Sequence, residues 1–141
     1  MATDGETRGD DTAEGVGATR SITRTLSEAD LALFALVMGE ASLDGDARLE
    51  VEPRYQRMAS PALLAALLTS VAALHSDRPD LARFVSAQLR FIEPAYAEET
   101  VRAHATVTGV DAPTGALQVR ARCETEDGRA LAMADFLLRR D

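Results

Sequence analysis

At 141 residues, with 46% hydrophobic and 27% charged side chains, the chain has the make-up of one soluble globular domain and can bury a core without disulfides. It has no apolar run of about 18 residues, which excludes a membrane-spanning helix. Its formal net charge of −8 argues against nucleic acid, whose phosphates call for clustered cations.

All 15 basic residues are arginine, and neither lysine nor asparagine occurs. That is a mark of GC-rich codons, and the acidic excess would suit a salty cytoplasm; neither fact carries chemistry. The N-terminal "MATDGETRGDDTAEGVGATR" lacks the apolar stretch of a secretory signal. Its small and acidic residues bury too little apolar area to offset chain entropy, so residues 1–20 are expected to be disordered. Cys123, the single cysteine, has no partner for a disulfide, which suits a reducing cytoplasm. It alternates with Val119 and Ala121 and reads as a small buried hydrophobe.

In chain order, Ser21 to Leu26 predicts a short strand, with Thr23 and Thr25 on one face and Ile22 and Leu26 on the other. Ser27 predicts an N-cap, with Glu28 and Asp30 on the positive end of the helix that follows. Leu31, Phe34, Ala35 and Met38 recur at helical spacing, and Gly39 supplies the stop. Residues 40–59 read as irregular, with a turn of helix around Pro53 to Arg57. Ser60 and Pro61 open a second helix as cap and first helical residue. Its body, "ALLAALLTSVAALH", is apolar on nearly every side and so predicts enclosure on most sides.

The remainder alternates: "FVSAQLRFI", "TVRAHATVTGV", "GALQVRARCETE" and "RALAMADFLLRR". Pro94, "DAPTG" and "EDG" separate these runs with turn chemistry. Val101, Ala103, Ala105 and Val107 share one strand face; Arg102, His104 and Thr106 share the other. Long antiparallel strands after one apolar helix predict an α+β domain, a curved antiparallel sheet wrapped around a central hydrophobic helix. That arrangement is the hot-dog fold, expected over residues 21–141.

Residues 21–139 resemble the MaoC-like branch of the hot-dog superfamily, the (R)-specific enoyl-thioester hydratases and dehydratases. "LSEADLALFALVMGE" is similar to the family's opening helix, which ends in Gly-Asp. "SPALLAALLTS" stands where the family has His-Gly-Met-Leu. "LRFIEPAYAEETVRAHATV" resembles Phe-x-x-Pro-Val-x-x-Gly-Asp-Thr through Phe91, Pro94, Glu99, Thr100 and Val107. The resemblance implies an acyl-thioester ligand on coenzyme A or acyl carrier protein. It also implies a homodimer, or a heterodimer with a homologous hot-dog subunit.

The family's chemistry uses Gly-Asp-x-Asn-Pro-x-His and a backbone N–H at the start of the central helix. Here Gly39 matches, Glu40 stands for the aspartate, Ser42 for the asparagine, Leu43 for the proline and Gly45 for the histidine. At the helix start, Ser60 stands for histidine and Pro61 for glycine. Proline has no N–H, so the oxyanion donor is lost unless Ala62 or Ser60 replaces it. The resemblance therefore implies a thioester binder without the standard acid/base pair, acting as a non-catalytic or partner subunit. The alternative is a hydratase, dehydratase or thioesterase that works through Glu40.

Glu40 is the one catalytic candidate, as a base if burial raises its pKa, against the reading of an exposed loop acid beside Asp44 and Asp46. Ser42, Ser60, Ala62, Thr69 and Arg57 are the substrate-binding candidates. Thr69 either lines an acyl channel or bonds back to the carbonyl four residues earlier. Arg54 and Arg57 suit a cofactor's phosphates or a solvated loop equally. Ser60 reads as a cap before a nucleophile. His75 is expected to cap the central helix, with a cation favoured at that end, and His104 to be solvated or at an interface. No histidine or cysteine spacing supports a metal, and no cofactor is expected.

Overall fold

The computed structural model describes residues 15–39 and 58–139. The elements are β1 (Thr19–Thr25), α1 (Glu28–Val37), α2 (Pro61–Ala73), a 3-10 turn (Pro79–Leu81), β2 (Phe84–Phe91), β3 (Thr100–Val110), β4 (Leu117–Thr125) and β5 (Ala130–Leu138). The five strands form one sheet in the order β1-β3-β4-β5-β2, with every neighbouring pair antiparallel.

The three inner strands follow the alternation in their sequences, whereas the edge strands β1 and β2 are exposed at nearly every position. Val101, Ala103, Ala105 and Val107 of β3 are buried, as are Val119, Ala121 and Cys123 of β4 and Ala132, Ala134, Phe136 and Leu138 of β5. This face carries α2, whose main strand contacts are with β3, β4 and β5, and then β1. Leu64, Leu68, Val71 and Ala72 of α2 lock into it, the last three essentially without solvent contact. Apart from Phe136 and Leu138 near the end of β5, the sheet side chains on this face are chiefly alanine, valine and cysteine. Small residues there let the helix sit close to the strands.

The α+β hot-dog architecture expected from the sequence is the one found. Three local expectations are corrected. Order begins before residue 21: β1 starts at Thr19, the Gly17 amide donates to the Val107 carbonyl at 2.8 Å, and the Val107 amide donates to Ala18 at 3.0 Å. A weakly apolar segment is held because β3 supplies partners for its backbone, which composition does not show. In α1, only Leu31 is buried, and Met38 is 50% exposed. The helix touches the core with its first turns only. Finally, α2 is not enclosed on most sides. Ala66 and Ser70 are exposed, because the sheet covers one flank and nothing among the described residues covers the other.

The caps are as the sequence predicts. Ser27 and Asp30 form a reciprocal capping box at α1, and Gly39 takes φ +75° just past its C-terminus. The expected helical turn at 53–57 lies outside the described residues.

Candidate functional site

The site implied by the sequence centres on the N-terminus of α2. Just before it, the Ala59 amide donates to the Ala95 carbonyl at 2.8 Å, and Met58 bridges to Tyr96. The helix start is thereby seated on the β2–β3 connection. Ala59, Ala95 and Ala97 are all buried there.

A network around Arg129 fixes that connection. Its guanidinium donates to both carboxylate oxygens of Glu99 at 2.9 and 2.6 Å, to the Pro94 carbonyl at 2.8 Å and to Glu93 at 3.3 Å. Glu99 also accepts from the Tyr96 amide at 2.8 Å. Nη2 makes both contacts to Glu99 while Nη1 holds Pro94 and Glu93, so the guanidinium is oriented by bonds at two nitrogens. Glu99 belongs to the strand-turn-strand motif noted in the sequence; Arg129 follows the β4–β5 turn, and nothing in the sequence marks it. Beside Glu99, Glu98 adopts φ +72°, a left-handed conformation that favours glycine. It stands at the glycine position of the motif, a signal the sequence did contain. Its amide donates to Leu26 and its carboxylate accepts from the Glu28 amide at 3.3 Å, at the positive end of α1.

The first turn of α2 is closed upon itself. Pro61 has no N–H, the Ala62 amide donates to Ser60 Oγ at 3.2 Å, and the Leu63 amide donates to the Ser60 carbonyl at 2.9 Å. The replacement donor that the sequence left open at Ala62 is therefore occupied, and Ser60 serves as the cap.

Thr69 makes the back-bond that the sequence left open. Its hydroxyl donates to the Ala65 carbonyl at 2.7 Å. The residue also lines a groove of about 560 Å³ between the outer flank of α2, the 3-10 turn and the start of β2, with Ala66, Ser70, Ala73, Ala82 and Phe84. With its hydroxyl committed, Thr69 offers the groove mainly its methyl group. Glu40, Ser42, Arg54 and Arg57 lie outside the described residues; Ser60 and Ala62 sit at the start of α2, whereas Thr69 lies nine residues after Ser60, about 13 Å away, in a groove that neither of them lines.

His75 does not act as a cationic cap. Its Nε2 donates to the Ala105 carbonyl of β3 at 2.8 Å, tying the end of α2 to the sheet. Burial lowers its pKa, outweighing the hydrogen bond to Ala105, and Arg20 nearby lowers it further. Burial likewise pushes the Cys123 thiol up to about 11, which suits its reading as a buried hydrophobe. Among the described residues, no group of three or more histidine, cysteine or acidic side chains could hold a metal.

No protein-family model matches the chain, and no curated protein does so significantly. Solved structures do. The (R)-hydratase PhaJ1 from Pseudomonas aeruginosa is 24% identical, with a TM-score of 0.70 over 87% of this chain and 79% of that one. The (R)-hydratase from A. caviae involved in PHA biosynthesis is 19% identical, with a TM-score of 0.72 over 89% and 96%. The C-terminally truncated HadBC (3R)-hydroxyacyl-ACP dehydratase complex from Mycobacterium tuberculosis gives 18% and 0.58 over 87% and 95%. At these identities the likeness is one of fold.

Proposed function

We propose that the chain is a MaoC-like hot-dog protein that binds acyl thioesters, carried by coenzyme A or acyl carrier protein, as a non-catalytic or partner subunit. The closed first turn of α2 carries this reading. Hydration of an enoyl thioester builds negative charge on the thioester oxygen, and a donor aimed at that oxygen contributes about 2.7–4 kcal/mol. Here Pro61 supplies none and the Ala62 amide is held by Ser60. Gly45, where the resemblance expects histidine, removes a proton carrier as well, a further loss of roughly 10²–10⁴ in rate. The groove beside Thr69, walled chiefly by alanine, proline, a threonine methyl and Phe84, with Ser70 and Asp80 also in its lining, suits an acyl chain, which needs mainly apolar walls.

Pairing with a second hot-dog subunit is supported by β2. Among the described strands it is an edge, and Val85, Leu89, Phe91 and Ile92 on or just past it are 40–52% exposed. An unpaired apolar edge strand is a template for another chain.

The test is the purified chain with crotonyl-CoA. Calorimetry is expected to show saturable binding, with neither loss of the double bond nor release of free thiol. Brisk hydration by the chain alone would overturn the reading. The enzyme alternative predicts turnover that Glu40→Gln abolishes at unchanged stability.

A further inference from the structure

The face of the sheet opposite α2 is arginine-rich in an acidic protein. Cross-strand register places Arg90, Met133, Arg122, His104 and Ser21 in one row across all five strands. The adjacent row holds Arg120 and Asp135, paired at 2.9 Å; on the other side Arg102 sits opposite Glu124. Four arginines thus share the face with two carboxylates. Among the described residues, the side chains of Arg90 and Arg102 make no hydrogen bond or ion pair. Arg122 Nε lies 3.3 Å from Glu124, out of line for a hydrogen bond, and is buried without an acceptor.

The opposite charge is in the chain itself. Residues 1–14 contain Asp4, Glu6, Asp10, Asp11 and Glu14 against Arg8 alone, half of the net charge of −8. They precede β1, whose Thr19 hydroxyl meets Thr106 on this same face at 2.8 Å. Between the two lies a tight turn: the Ala18 amide donates to the Gly15 carbonyl at 2.9 Å, with Gly15 at φ +75° and Gly17 at φ +94°. The turn reverses the chain where the acidic segment joins the sheet. Four strand spacings separate β1 from β2, about 19 Å, whereas 14 residues can extend to about 45 Å.

We propose that the arginine face is the docking surface for the chain's own acidic N-terminal segment, residues 1–14, held by charge. Tethering supplies the segment at high local concentration, so weak, screened contacts suffice. The inference is independent of the function proposed above.

The test uses the full chain. A spin label on Thr3→Cys, with buried Cys123 protected, is read by paramagnetic broadening of backbone amides. At about 0.05 M salt the broadening should centre on His104, Arg120 and Arg122. It should fall about threefold or more at about 0.5 M salt, where the screening length is only a few ångströms. The same loss is expected on neutralising Asp4, Glu6, Asp10, Asp11 and Glu14 to their amides, or in Arg90→Gln/Arg102→Gln. Broadening centred on α2, spread evenly over the molecule, or unchanged by salt or neutralisation would overturn the proposal. So would an added acidic protein that binds this face equally well with and without neutralisation, because the segment would then not be its occupant.

Discussion

His75 links the helix to the sheet through a neutral ring, which fixes how stability depends on pH. Because its pKa is lowered on folding from the ordinary 6.5, the unfolded chain takes up the proton first. Its contribution is complete above about pH 6.5 and is lost as pH falls below that value towards the folded pKa. The urea midpoint should therefore drop between pH 7.5 and 5.5, and His75→Gln, which keeps a donor for Ala105, should flatten that part of the dependence. Arg129 acts at the same scale but by a different force. It is 29% exposed, as is Glu99, and each of its bonds is charge-assisted. Arg129→Met should cost about 2–3 kcal/mol, measured by chemical denaturation, through loss of the clamp on Glu93, Pro94 and Glu99.

Among the elements, α2 shows most clearly what local sequence decides. Ser60 and Pro61 mark its start, and the structure places the cap and the first helical residue there. Ser60→Ala should cost about 1 kcal/mol in denaturant unfolding, while releasing the Ala62 amide. The strands were equally legible: β3 runs from Thr100 to Val110, the whole of the alternating run. Alternation is a direct imprint of one buried face, so it survives without knowledge of the partner strands. The loose enclosure of α2 was not legible. Its composition, apolar on nearly every side, records the total apolar contact the helix makes, including any outside this chain. The role of His75 was missed for a related reason: helix-end rules describe a residue's own helix, whereas its acceptor lies 30 residues away on β3.

For the whole molecule, β2, which lies at an edge of the sheet among the described strands, predicts assembly. Leu89, 40% exposed on that strand, is paired with Ala134 of β5. Its side chain therefore shares the face that carries α2. Leu89→Arg should convert the assembled protein to monomer in light scattering, at little cost to the isolated fold, because edge charges oppose strand addition. An unchanged mass would place the interface elsewhere. The candidate site was legible only as a pattern of losses, since the motif positions Pro61 and Gly45 could be read as missing groups. Occupation of the Ala62 amide could not, because it depends on the rotamer of a single serine.

The attachment of α1 has a mechanical consequence. Leu26 and Leu31 are buried at its start, and Glu98 bonds to Leu26 and Glu28 there. Towards its far end, Leu33, Val37 and Met38 are half or more exposed. The helix is a cantilever, clamped beside a strained glutamate and extending about 15 Å to Gly39. Among the described residues nothing else holds its far end, so a tilt of a few degrees at the clamp displaces Gly39 by about an ångström, and a carboxylate one helix length away sets where Gly39 stands.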